Sequence, residues 1–473
     1  MRAPGQSNSV IGDSGAGTAL RMTGQERRAA CSLAGIYAVR MLGLFMILPV
    51  FALHADRYHG ATPALMGLAI GIYGLTQAAL QIPFGMLSDR IGRKRVIFAG
   101  LAIFAAGSIV AALADSIGGV IAGRALQGAG AIAAAVLALT ADLTRVEQRT
   151  KAMAIIGASI GLTFALAMVL GPVVARLAGV SGVFWLTAGL ALGGMAILAW
   201  LVPTPAASRF HRDTSPVLAQ FGRILGDAQL LRLNLGIAVL HFNMTAAFTV
   251  LPLLLGQRLA IPAADHGPIY LGVLAGALVL IVPLVLASDR LGHTRTVFLG
   301  AVAGLALAQI GLWGAPDTLL GAALLMVAYF AALMLLEAML PALVSQRAPA
   351  QLKGTAMGAY STCQFLGAFL GGVVGGWLHG RFGPHAVFAA CAVLNAAWLL
   401  GATGMHAPRR LSTQMLRVGH VDEARARVLA EALLAVPGVA EAVVVAEDRT
   451  AYLKVDRKRL DRDALMAYAA RDE

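Results

Sequence analysis

The chain has 473 residues, 58% of them hydrophobic and only 13% charged, with a formal net charge of +13 at pH 7. A soluble domain carries about 25% charged residues, and a mean hydropathy of +0.76 leaves too little polar surface to cover a folded exterior in water. A water-soluble globular protein, a disordered chain and a fibrous repeat are excluded. The apolar stretch from Ala29 to Gly404 has room for about a dozen membrane-spanning helices at about 20 residues each.

Residues 1–28 are polar and end on Arg27 and Arg28, before an apolar segment too long for a cleavable signal. They read as a cytoplasmic tail ahead of an uncleaved first helix. Charged or Gly/Pro-containing turns divide the next stretch into spans near 29–54, 64–87, 96–114, 117–142, 151–176 and 182–203, an N-terminal half covering 29–203. The segment 204–228, with Pro205, Arg209, His211, Arg212, Asp213, Pro216 and Arg223, is too polar for a bilayer core and reads as a cytoplasmic linker. Six further spans near 229–256, 267–288, 296–314, 318–345, 354–380 and 384–404 form a C-terminal half, 229–404.

Lys and Arg concentrate in alternate loops. One set holds Arg90, Arg93, Lys94, Arg95, Arg145, Arg149, Lys151, Arg209, Arg212, Arg223, Arg290, Arg295, Arg347 and Lys353; the other has only Arg57, Arg176, Arg258 and Arg381. Basic loops stay on the cytoplasmic side, so both termini are expected there. The positive charge then reports topology, and no nucleic-acid partner is expected. Leu87-Ser88-Asp89-Arg90-Ile91-Gly92 aligns with Ala287-Ser288-Asp289-Arg290-Leu291-Gly292, 200 residues later. An all-α membrane domain of two six-helix repeats follows, an arrangement that places substrate between the repeats near mid-membrane. After Pro408 the composition turns soluble, and 412–473 reads as a βαββα domain with strands at Met415–Val418, Ala442–Ala446 and Ala451–Val455 and helices at Val421–Ala435 and from Leu460. A ferredoxin-like sheet needs one strand more.

Two ionisable residues lie deep in apolar spans. Arg40 is 12 residues past Arg28 and Glu337 is 10 residues before Arg347, so they sit at depths of about 18 and 15 Å from those boundary charges. Pro341 lacks the N–H that bonds the carbonyl of Glu337, leaving a free acceptor and a kink beside the acid. Arg124 and Asp142 are 18 residues apart, on one helix face and about 27 Å from each other. Tyr37, Gln77, Gln81, Gln127, His241, Asn243, Tyr329 and Gln364 are further polar residues in the spans, available to a cavity or to helix pairing; Met and Phe are taken as core or lipid-facing. Cys31, Cys363 and Cys391 stand apart from any metal-ligand pattern and read as packing thiols. No catalytic constellation, cofactor motif or ATP-binding loop is present in the sequence, so no enzyme, cofactor or metal is expected.

Gly85-Met86-Leu87-Ser88-Asp89-Arg90-Ile91-Gly92-Arg93-Lys94-Arg95 resembles the signature loop of the major facilitator superfamily. That resemblance implies a conformational latch of Asp89, Arg90, Arg93 and Asp142: Asp89 faces the N-terminus of span eleven near Gly354, and Arg93 pairs with Asp142 at the end of span four. His293 and Thr294 stand where the second copy would need Arg and Lys, so a second latch is not expected. Arg124-Ala125-Leu126-Gln127-Gly128-Ala129-Gly130 is similar to a segment of proton-coupled members. Gly157, Gly161, Gly171 and Pro172 resemble the fifth helix of drug/proton antiporters, with Val173, Val174 and Ala175 where further glycines would continue it.

Arg40 to Val50 in span one, Glu337 to Pro341 in span ten and the small C-terminal domain together resemble the YajR-type bacterial transporters of that superfamily. The resemblance implies a proton-driven antiporter of the bacterial inner membrane with a ferredoxin-like cytoplasmic domain. Superfamily geometry lines the cavity with spans one, four, seven and ten. Arg40 and Glu337 would then face each other as the proton-coupling residues, and Tyr37, Arg40, Arg124, Gln127, His241, Asn243, Tyr329 and Gln364 would form the substrate cavity. The expected activity is export of a small, amphipathic compound by alternating access. The alternatives are proton-coupled metabolite uptake with Arg40 as anchor, and a non-transporting sensor signalling through a ligand or protein partner of the C-terminal domain.

Overall fold

The structure is a computed structural model that describes residues 22–145, 148–204, 222, 224, 226–291, 293–314, 317–349, 352–405, 411–419, 421–446, 449–456 and 459–469. Most of the tail and linker read from the sequence, including Arg209, His211, Arg212 and Arg223, lie outside the described residues, as do Glu447 and Asp448. So do Gly292 and the side chains of Asp289 and Arg290 in the second loop copy.

Backbone polar groups find no partner in hydrocarbon, so an apolar chain of this length satisfies them within helices. The helices are α1 (Gly24–Phe45), α2 (Pro63–Ile91), α3 (Arg93–Ala112) and α4 (Ile117–Asp142), then the long helix Arg149–Trp200. That helix breaks at Gly179, whose φ of 69° only glycine adopts readily, and so makes two crossings, α5 (149–178) and α6 (180–200). The second half holds α7 (Ala228–Leu253), α8 (His266–Leu291), α9 (Thr294–Trp313), α10 (Leu319–Arg347), α11 (Lys353–Phe382) and α12 (Pro384–Thr403). Among the described residues this gives twelve crossings. Side chains start several of them: Thr62, Ser116 and Thr318 accept the backbone N–H of Leu65, Gly119 and Gly321 at the heads of α2, α4 and α10. Leu162, Leu177, Trp200, Val279, Leu320 and Leu400 are exposed on the outside, which suits a lipid surround and no other solvent.

Odd-numbered helices run away from the end that carries the basic loops, called here the basic end; the other is the far end. The internal repeat is visible in matched contacts at the basic end. Lys94 Nζ donates to Val202 O at 2.9 Å, and Arg295 Nη2 donates to Thr403 O at 2.6 Å. In each half a cation at the head of the third helix satisfies a carbonyl at the end of the sixth.

The two halves meet along α2 and α11. Gly67, Gly71 and Gly74 of α2 lie against Gly372, Gly376, Phe369 and Phe365 of α11, so closely that a Cβ on any of the three α2 glycines would collide with backbone. The opposite face of α11 presents Gly367, Gly371 and Gly375 to Ala238, Phe242 and Ala246 of α7. Helix α11 is thus clasped on two sides through small residues, the close approach that drives helix pairing without a hydrophobic driving force.

The C-terminal unit has strands β1 (Leu411–Arg417), β2 (Val439–Val445) and β3 (Thr450–Asp456) with helices α13 (Glu423–Leu434) and α14 (Arg462–Met466). Its described strands form a three-stranded antiparallel sheet in the order β1-β3-β2, one short of the ferredoxin-like sheet. Leu416, Leu433, Val436, Ala451, Leu453, Val455 and Leu465 fill the core on one face. Alternation along β3 turns Lys454 to the other face, where it is nevertheless buried. Its Nζ donates to Gln346 O at 3.2 Å, Ala348 O at 2.8 Å and Glu441 Oε1 at 3.1 Å. A cation on two carbonyls at the C-terminal end of α10 is a favourable helix-end contact, and it fastens the soluble unit to the helix that bears Glu337.

Candidate functional site

Glu337 stands on α10 with its side chain 40% exposed. Its carboxylate accepts from Gln364 Nε2 of α11 at 3.3 Å and lies 3.8 Å from His241 Nδ1 of α7. The same Gln364 amide nitrogen lies 2.8 Å from His241 Nε2. With the amide as donor, that imidazole nitrogen accepts and the ring proton belongs on Nδ1, the nitrogen facing Glu337. Three helices therefore converge on one acid, one imidazole and one amide, with the Gln364 amide bonded to both of the others and His241 Nδ1 just beyond hydrogen-bond reach of the carboxylate. Tyr37 of α1 and Tyr360 of α11 lie within electrostatic range of Glu337. Arg40 does not pair with Glu337 in this conformation: Arg40 is fully buried, donates to Gln77 Oε1 and stacks on Tyr73 and Phe104, with its Cζ 5.6 and 5.7 Å from the ring centroids.

Arg124 of α4 is likewise buried in the N-terminal half. It donates to Ala69 O and Ile70 O of α2, each at 3.3 Å, and to Gln127 Oε1 at 2.9 Å, with its Cζ 5.1 Å from the Tyr73 centroid. Gln127 passes the chain on to Ser108 Oγ at 2.8 Å. Two residues expected at the cavity are used otherwise. Asn243 exchanges two amide hydrogen bonds of 2.9 Å with Asn395 of α12, and Tyr329 donates to Asn243 O at 3.2 Å. Both are fully buried and tie α7, α10 and α12 together, because a lone amide in a span is cheapest when another amide answers it.

The far end is sealed. Phe164 of α5 sits between Phe248 of α7 and Phe330 of α10, with centroid separations of 6.4 and 6.2 Å, and Phe45 of α1 packs edge-on to Phe164 at 5.1 Å. Phe330 is two turns from Glu337, about 10 Å toward the far end, so the aromatic cluster closes over the acid. A Cβ on Gly267 of α8 would touch Val169 O of α5 at 3.4 Å, and one on Gly256 would meet Leu53 at 3.1 Å, so α5 and α8 and the turns that follow α1 and α7 also meet there.

At the basic end the halves part. Among the described residues the α2–α11 hydrogen bonds nearest that end are Gln81 Nε2 to Gly358 O at 3.5 Å and Ser361 Oγ to Gln81 Oε1 at 3.3 Å. One turn further on, Gly354 is exposed with open space around it, as are Gly157 and Gly161 of α5. Arg93 pairs with Asp89 and with Asp142, the latter at 3.2 Å, and donates to Ser88 Oγ at 2.8 Å. Asp89 is 55% exposed, and Arg90 is exposed as well. Arg93, Asp89 and Asp142 are brought together on α2, α3 and α4, and among the described residues no hydrogen bond or ion pair joins Asp89 to the head of α11.

Tyr73, Tyr360, Asn395, Phe164, Phe248, Phe330 and the α11 glycines were not singled out from the sequence. A signal existed only for the glycines, in the run Gly367-Ala-Phe-Leu-Gly371-Gly372-Val-Val-Gly375-Gly376, whose spacing puts small residues on two helix faces.

Comparison with known proteins agrees with this architecture. The profile of the Major Facilitator Superfamily matches residues 33–372 and 233–429, and that of the YajR YAM domain matches residues 420–467. The chain is 45% identical to the inner membrane transport protein YajR of Escherichia coli (strain K12), over 93% of this chain and 97% of that one. It is 28% identical to the multidrug resistance protein MdtH of Aeromonas hydrophila, over 72% of this chain and 84% of that one. In fold it is similar to the crystal structure of a bacterial homolog of the human lysosomal transporter Spinster in an inward-facing, occupied conformation. That likeness has a TM-score of 0.66 at 14% identity and covers 82% of this chain and 98% of the other.

Proposed function

The chain belongs to the major facilitator superfamily and is a membrane transporter, and from that premise we propose that it is a proton-coupled antiporter exporting a small, amphipathic compound. The proposed setting is the bacterial inner membrane with both termini in the cytoplasm, supported by the alternate basic loops and by the likeness to an inner membrane protein. The basic end is then cytoplasmic, and this conformation is open to the cytoplasm. The observation that carries proton coupling is Glu337, a carboxyl group 40% exposed within the bundle, bonded to Gln364 and 3.8 Å from His241, in a bundle where an ionisable residue is costly and is kept for ion or substrate movement. Export is supported by the likeness to a multidrug resistance protein. Counterflow in sealed proteoliposomes, repeated with the imposed pH gradient reversed, tests the reading. Counterflow with no response to either gradient refutes the coupling, and an absence of counterflow across a panel of amphipathic compounds favours a sensor.

The latch holds the other conformation. When the cytoplasmic ends close, Asp89 reaches the head of α11, a contact of about 0.3–1 kcal/mol when exposed and up to about 2 when partly buried. Asp89→Asn removes that charge and shifts the equilibrium toward the cytoplasm-open form by roughly 2- to 30-fold. Spin-label distances across the cytoplasmic gate should lengthen on average; unchanged distances with unchanged transport count against a latch.

The C-terminal unit is regulatory or stabilising in this reading, since the helices complete the pathway without it. Its tie to the membrane part through Lys454 is a helix-end contact that steadies α10. Deleting 412–473 should leave coupled transport measurable at reduced rate or stability. Complete loss from a folded, inserted truncation means that the unit belongs to the transport cycle itself.

A further inference from the structure

Among its described residues the N-terminal half carries two buried guanidinium groups and no acid that meets them: the acids of residues 29–203 are Asp56, Asp89, Asp115, Asp142 and Glu147, and the first four stand at helix ends or in loops. Arg124 is satisfied by three acceptors. Arg40 is not. Its Nε and Nη1 have no partner, and neither do Gln77 Nε2 nor the Tyr73 hydroxyl, on the two polar residues beside Arg40. Three of these four atoms are obligate donors and the hydroxyl donates as well. All three residues are at least 98% buried.

Water could answer the N–H groups but brings no charge, and Arg40, unlike Arg124 with its carbonyl and amide acceptors, keeps two donors open for an anion that also lowers the cost of burying the cation. Arg cannot shed its proton. Glu337, the interior acid of the other half, is engaged with Gln364 and His241.

We propose that Arg40, Tyr73 and Gln77 form a binding site for a small monovalent anion of halide size. The group is enclosed by α1, α2 and the Phe104 ring, and its unpartnered donors select sign. One anion neutralises Arg40 while the protein is open at its basic end. The site stands apart from proton coupling at Glu337, and its test does not require transport.

The full chain, purified in detergent, is unfolded thermally in sodium chloride or bromide against sodium gluconate at equal ionic strength, and crystallised in bromide for anomalous scattering. Halides should raise the midpoint saturably, as a ligand of the folded state does, with gluconate inert, and a bromide peak should lie within hydrogen-bond reach of Arg40. Tyr73→Phe should weaken the apparent halide affinity about tenfold, the scale of one charge-assisted hydrogen bond, and Arg40→Gln should abolish it. Equal midpoints in chloride and gluconate, or an unchanged halide dependence in Tyr73→Phe, overturn the proposal, as does bromide found only at the surface. If Arg40→Gln does not fold, Tyr73→Phe and the bromide map decide.

Discussion

Proteoliposomes carrying Glu337→Gln are expected to pass cargo down its own gradient and to lose every response to a pH difference. Glutamine keeps the size of the side chain and can still meet Gln364, so the packing of α10 against α7 and α11 survives. What disappears is the ability to gain and lose a charge. A pH difference of one unit stores about 1.36 kcal/mol per proton, enough for about tenfold accumulation of a neutral cargo exchanged one for one. Glu337→Gln should bring that ratio to unity. His241 stands 3.8 Å from Glu337 and is bonded to the same Gln364 amide, so His241→Asn should slow coupled transport while leaving some coupling in place. Accumulation by Glu337→Gln at an undiminished rate removes Glu337 as proton carrier and leaves it a packing partner of Gln364.

Gly67→Val should produce the opposite conformational bias from loosening the latch, and with a larger effect. The new Cβ would fall on the carbonyl oxygen of Gly372 and the backbone of Gly376, neither of which can rotate aside as a side chain can. Overpacking of this kind costs about 1–3 kcal/mol, a factor of about 5–150 in a two-state equilibrium. The seam closes the far end, so the cost falls mainly on the form with that end sealed. Transport should drop by at least tenfold, with spin-label distances across the far end lengthened and those across the cytoplasmic gate shortened. A Gly67→Val protein with wild-type distances at both ends shows that the α2–α11 seam is not a gate. Gly100→Val is no useful control, since a Cβ there also clashes, with Ile132 of α4; Gly300→Ala, in open space, is.

The sequence carried the crossings, the repeat and the mixed α+β tail, because apolar length and charged punctuation are local properties of the chain. The Arg93–Asp142 pair was legible through a resemblance, with a spacing of 49 residues that no local pattern encodes. What the sequence concealed is which side of each helix meets which neighbour. A helix apolar all round carries no stripe to orient it, so Phe164 and Phe330 looked the same as lipid-facing residues, and Asn243 looked like a cavity residue until Asn395, 152 positions away, was found opposite. The break at Gly179 fell where a turn was expected between spans five and six. Strand β1 begins at Leu411, ahead of the expected Met415, since edge pairing with β3 extends it through a polar stretch. Lys454 gave no sign of its role, because a lysine in a strand ordinarily points to water.

The most direct test of proton-coupled export is a fluorescence assay on everted membrane vesicles with an acidified lumen, loaded with a pH-sensitive dye and challenged with a panel of amphipathic compounds. Cargo moving into the lumen in exchange for protons should collapse the pH difference with the wild-type protein, and Glu337→Gln should leave that difference intact while the same compound still equilibrates. Entry of a transported compound with no proton leaving the lumen of wild-type vesicles contradicts it.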